Sequence, residues 1–153
     1  MSGSRKKRKR EAWNRFADIG RATLVAGAIL LPWRAAANPA RVSAAACLLA
    51  IKLTTKALKK AVPEQRPDGK DNKSFPSEHA AECVAAAMII EREYPGTVGA
   101  LAYGLAAAVS VSRIECKKHR PRDVAAGVLI GCIAVFASLQ LRLAVERRLI
   151  SAA

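Results

Sequence analysis

The chain has only two histidines, and each sits among serine, acid and fixed cations. His79 ends the run Pro76-Ser77-Glu78-His79. His119 stands four residues before Asp123 and shortly after Ser112-Arg113, with Lys59 and Arg66-Pro67 earlier in the chain. An unperturbed imidazole changes charge near neutral pH, so it serves as a base or nucleophile when neutral and as an acid when protonated. Cations aimed at the equatorial oxygens of a transferring phosphoryl group supply most of the stabilisation that such a reaction needs. Together these residues form a kit for phosphoryl transfer.

Each cluster also has a plainer reading. Pro121 fits the first turn of a helix. Asp123 in that turn can reach back to His119, fix its tautomer and leave the other ring nitrogen free. Alone, the pair equally fits an acid complementing the helix dipole beside a loop histidine. Ser77 is a natural N-cap, so Ser77, Glu78 and His79 open a helix whose free N–H groups face an anion. Lys59, Arg66 and Arg113 are the cations placed to hold a phosphate, arginine by bidentate contact and lysine as a point charge. Lys56, Lys60, Lys117, Lys118, Arg120 and Arg122 read as interfacial cations. Glu82, one turn from His79, reads first as a salt link within its helix. Asp68 and Asp71 read as turn residues around Gly69, and no carboxylate cluster has the spacing of a magnesium site, so neither metal nor cofactor is expected.

The elements that must carry these groups are apolar helices. The chain is 52% hydrophobic but has a formal net charge of +14, gathered in blocks. So basic a chain would meet nucleic acid, anionic lipid or a phosphorylated substrate. Aromatics are only 5%, too few for base stacking, and the alanine and leucine content fits close packing of membrane helices; nucleic acid is not the expected partner. Gly96 to Ser112 and Val124 to Leu141 carry no charge, and each meets the roughly 17–25 residues of a spanning helix. Helices are expected over 11–37, 40–62, 77–93, 95–117 and 121–149, with no sheet. Residues 1–10, dominated by Arg5 to Arg10, read as a flexible basic tail before a single membrane-embedded domain over 11–150. Cys47, Cys83, Cys116 and Cys132 lack a CxxC pair and read as reduced thiols. The tail and the loops 63–76 and 113–120 are the basic segments, so the positive-inside rule places the site on the cytoplasmic face of a cell membrane.

Lys59-x6-Arg66-Pro67, Pro76-Ser77-x-His79 and Ser112-Arg113-x5-His119-x3-Asp123 together resemble, in order and spacing, the three-part signature of the type 2 phosphatidic acid phosphatase superfamily. The resemblance implies an all-α membrane bundle with a core shared with haloperoxidases. It also implies metal-independent hydrolysis of a lipid phosphate or pyrophosphate through a phosphohistidine. On the matching positions, His119 would be the nucleophile, Asp123 its orienting partner and His79 the general acid. Lys59, Arg66, Ser77, the N–H of Glu78 and Arg113 would hold the phosphate. Glu78 departs from the pattern, since the family usually has glycine there and a carboxylate adds bulk and repulsion. The chain also has about one helix fewer than the six common in the family. Because His119 must be neutral while His79 is protonated, a bell-shaped rate profile near neutrality is expected. The rivals are a vanadium-dependent haloperoxidase and a noncatalytic basic membrane protein that binds anionic lipid.

Overall fold

A computed structural model describes residues 2–31 and 39–151. Five helices follow one another: α1 (Ser2–Leu30), α2 (Pro39–Ala61), α3 (Glu78–Glu93), α4 (Thr97–Glu115) and α5 (Pro121–Ser151). Among the described residues there is no strand, only an isolated bridge between Glu64 and Lys73. The fold is all-α, as the apolar runs require.

Two boundaries differ from expectation. α1 begins at Ser2, ahead of the expected residue 11, and carries Arg5 to Arg10 as exposed helical residues. Lysine and arginine are good helix formers, and their long side chains fan out into solvent, so the run continues the helix behind it. α4 starts at Thr97 rather than at Pro95, because Gly96 precedes it at φ +86°, a left-handed conformation that cannot belong to the helix. The expected end of the first helix, 32–37, and most of the loop after it lie outside the described residues.

α3 is the axis of the bundle and packs against all four other helices. It can do so because its inward positions are small: Ala80, Ala81, Ala85, Ala86 and Ala87 are completely buried. Gly127 and Gly131 complete the fit on α5. A Cβ at Gly127 would run into the Ser77 carbonyl, and one at Gly131 into the Ala81 carbonyl. α5 therefore lies directly on the backbone that begins α3.

The outer faces are apolar. Leu101 on α4 and Leu129, Ile133, Phe136 and Leu141 on α5 are all more than 60% exposed. Thr97–Glu115 and Pro121–Val145 are long and apolar enough to cross a membrane. Soluble monomers rarely expose contiguous apolar surface on this scale, so these faces point to a membrane protein.

Candidate active site

The loop between α2 and α3 is built before it meets the rest of the site. Asp68 Oδ1 accepts from the Lys70 N–H (3.2 Å) and Asp71 Oδ1 from the Lys73 N–H (3.0 Å), the side-chain turns expected of aspartates around a glycine. The Ser74 N–H donates to the Glu64 carbonyl at 2.9 Å and closes the loop on itself. Three cations that read as interfacial instead latch this loop to the α4–α5 turn. Lys118 pairs with Asp68 at 2.9 Å, Arg120 with Glu64 at 3.0 Å, and Arg122 also with Glu64.

His119 sits in that turn and is only 3% exposed. Lys117 precedes it at φ +56°, and the His119 N–H donates to the Arg113 carbonyl at 3.2 Å, so the chain reverses sharply after α4. The ring's Nδ1 lies 2.6 Å from the Ser74 carbonyl oxygen. A carbonyl only accepts, so Nδ1 carries the hydrogen and Nε2 keeps its lone pair. The ring is held neutral far into acid, its pKa lowered from 6.5 to about 3. Burial is the main cause; the charges of Arg113, Arg66 and Lys59 add to it, while the Ser74 carbonyl favours the protonated ring.

Asp123 does not bond to His119, contrary to the expectation of a direct pair. Its Oδ2 accepts from the Ser74 hydroxyl at 2.5 Å and from the Arg120 N–H at 2.8 Å, and the whole residue is buried. The carboxylate thus fixes Ser74, and Ser74 fixes the ring. Asp123 also accepts, through its main-chain carbonyl, from the Ser77 N–H at 2.9 Å, which ties α5 to the start of α3.

Ser77 is the N-cap of α3, as its type implies, although its Oγ accepts from the Ala80 N–H at a long 3.5 Å. The Ala81 N–H is satisfied by the Ser77 carbonyl at 3.1 Å. Of the four N–H groups that a helix start leaves without intrahelical partners, those of Glu78 and His79 remain. The Glu78 carboxylate is turned to cations, 3.8 Å from Lys59 Nζ and 3.9 Å from Arg21, so only its N–H is placed to meet an anion. Lys59 Nζ donates to the Pro76 carbonyl at 2.8 Å.

The cations retain unused donors. Arg113 is buried and donates from one terminal nitrogen to Asn14 Oδ1 at 3.2 Å, while its Nε has no partner. Arg66 Nε lies 2.8 Å from Asp71 Oδ1, an ion pair not aligned as a hydrogen bond. A buried guanidinium donor left open as in Arg113 is suited to an anion. His79 lies in the first turn of α3, its Nε2 2.9 Å from Asp18 Oδ1.

Sequence reasoning missed Ser74, Asn14, Asp18 and Arg21. Asn14, Asp18 and Arg21 are spaced by four and three residues and so share one face of α1, which is the signal that could have found the last three. Ser74 offered only its position two residues before Pro76. Among the described residues, no three His, Cys, Asp or Glu side chains converge as a metal site.

A buried neutral imidazole, facing cations with open donors inside an all-α bundle, defines a phosphatase-type hydrolase of phosphate esters. The family model of the PAP2 superfamily matches residues 40–147, and the chain belongs to that superfamily. The match begins after α1 and includes every residue of the three motifs. No curated protein and no solved structure matches the chain.

Proposed function

We propose that this protein is an integral membrane lipid phosphatase that acts through a phosphohistidine on His119. The observation that carries the reading is the His119–Ser74 bond, which leaves Nε2 as a neutral nucleophile within reach of the charges of Arg113, Arg66 and Lys59. Nε2 attacks phosphorus, the bond to the lipid oxygen breaks, and His79 gives that oxygen a proton. His79 then takes a proton from the water that attacks the phosphoenzyme. The P–N bond breaks, and inorganic phosphate leaves with His119 neutral again. The N–H groups of Glu78 and His79, together with Arg66, Arg113 and Lys59, hold the phosphoryl oxygens throughout.

A lipid as the leaving group is supported by an apolar groove of about 600 Å³ between α2 and α5, lined by Ala50, Ile51, Thr54, Ile130 and Ala134 among others. Thr54 lies five residues before Lys59, about 7–8 Å along the helix, so the groove opens close to the phosphate site. The basic end of α1 lies at the same end of the bundle, since Cys116 Sγ donates to the Arg10 carbonyl at 3.5 Å. By the positive-inside rule this end faces the cytoplasm. Substrates of this class are phosphatidic acid, phosphatidylglycerophosphate and polyprenyl phosphates or pyrophosphates.

The test is phosphate release by the detergent-purified protein from these lipids in excess chelator. Wild type is expected to turn over at least one of them. His119→Ala should lose about 10⁴-fold or more, as enzymes do when the nucleophile is removed. A radiolabelled substrate should leave an acid-labile, alkali-stable phosphoenzyme in wild type alone. Equal activity in the variant would end this reading.

A further inference from the structure

α1 ends at Leu30, before the residues that carry the family match, yet one of its faces reaches four charged or polar groups in and beside the site. Asn14 Oδ1 accepts from Arg113, Asp18 meets His79 Nε2 at 2.9 Å, and Arg21 donates to Glu82 at 2.8 Å while lying 3.9 Å from Glu78. The same face carries Ala17, Leu24 and Ala28 into the core. Gly20 lies between Asp18 and Arg21. A Cβ there would stand 2.7 Å from a Val109 methyl and 3.3 Å from Leu105, so the missing side chain is what lets α1 approach α4 so closely. α1 is therefore seated against the site by packing as well as by its polar contacts.

We propose that Asp18 is the positioning residue of the general acid, holding His79 through Nε2 so that Nδ1 is the nitrogen that exchanges a proton with substrate and water. This assignment rests on the phosphohistidine reading above. In the protonated ring the Nε2–H donates to Asp18 and the Nδ1–H passes to the departing oxygen as the P–O bond breaks. The ring is then neutral, its hydrogen on Nε2, and the Nδ1 lone pair accepts a proton from the attacking water. The carboxylate keeps its negative charge throughout. Its charge is needed because burial, and then the charges of Arg113 from α4 and Arg21 from α1, disfavour the protonated ring. Glu82 and Glu78, on the ring's own helix, are engaged by Arg21 and by Arg21 with Lys59. Asn14 does for Arg113 what Asp18 does for His79: it occupies one terminal nitrogen, while Nε has no partner.

The experiment compares two leaving groups on the same full-length preparation in detergent. Phosphatidic acid loses an alkoxide and needs a proton; p-nitrophenyl phosphate loses a stable phenolate and needs little help. Asp18→Asn is expected to lower kcat on phosphatidic acid by about 10- to 100-fold, part of the 10²–10⁴ that general acid catalysis supplies. On p-nitrophenyl phosphate the loss should be about threefold or less. Asp18→Glu should recover part of the activity, and the basic limb of the Asp18→Asn rate profile should move to lower pH. Because both substrates are read on one sample, a smaller folded fraction cancels in their ratio. An equal loss on both substrates, or no loss on either, overturns the assignment. His119→Ala must be inactive on both; if it is active, the phosphohistidine reading itself falls, and this assignment with it.

Discussion

The two histidines are held in opposite ways. His119 is fixed by a main-chain carbonyl, in a turn clasped by the neighbouring loop, all of it inside the family-matched residues. His79 is fixed by a carboxylate from a helix outside them. The Ser74 carbonyl sets the tautomer of His119, and although it favours the protonated ring, burial outweighs it. A carboxylate favours the imidazolium, the form a general acid must begin in, and here it works against burial and the charges of Arg113 and Arg21, which lower the His79 pKa from 6.5 to about 4. On the proposed roles, nucleophile and acid are the same residue type in one site and differ in the charge of their partners, although burial holds both rings below the usual histidine range. Where a carboxylate on His119 was expected, the structure puts Asp123 one residue further back, behind Ser74.

That contrast can be broken most severely by removing each ring. His119→Ala should be inactive on every substrate. His79→Ala should lose about 10²–10⁴-fold on phosphatidic acid and less on p-nitrophenyl phosphate, where only its role as base toward water is missed. If both variants fail equally on the phenyl ester, the roles are not divided as described.

A smaller effect should follow from loosening the support of His119. Asp123→Asn is expected to cost about 10- to 100-fold in kcat, the usual scale for a group that orients a reacting ligand from behind. Ser74→Ala should cost less, since the carbonyl that holds the ring is main chain and stays. The reverse order would mean that Asp123 acts on His119 without Ser74.

The smallest effect is in pH dependence. The unfolded ring gains its proton near 6.5 and the folded one only near 3, so between these values the unfolded state binds more protons. Stability therefore falls as pH drops through this window, by at most about 1.4 kcal/mol per unit from this group. Replacing His119 by Gln should flatten that slope in acid denaturation of the detergent-solubilised protein. The same shift moves the acid limb of the rate profile well below neutrality, away from the bell near neutral pH that two ordinary histidines would give. An acid limb near 6.5 in the free enzyme would contradict the burial of His119.

The helices were legible because uncharged runs such as 96–112 and 124–141 admit few alternatives and Ser77 and Pro121 mark two starts. The family residues were legible because the motifs concentrate them. What could not be read are contacts with no local spacing: Ser74 to His119 spans 45 residues, Asp18 to His79 spans 61, and Asn14 to Arg113 spans 99. Asp123 was placed on the wrong partner for the same reason. Its nearest histidine in sequence is four residues away, but a serine 49 residues away is nearer to its carboxylate in space. The start of α1 at Ser2 was not legible in the basic run, because composition records charge and is silent about the helix that passes through it.

The latch between the two loops also has a meaning in time. Glu64 and Asp68 leave the ribosome well before Lys118, Arg120 and Arg122; Glu64 precedes Arg120 by 56 residues. Chains are made and begin to fold from the N-terminus. α1, α2 and α3 can thus be in place while the loop acids still lack their cations and His79 has no nucleophile beside it. Only when the turn before α5 arrives does the latch close, carrying His119 to Ser74 in the same movement. On the proposed mechanism, a nascent chain stopped anywhere before that turn holds the acid half of the centre and none of its nucleophile.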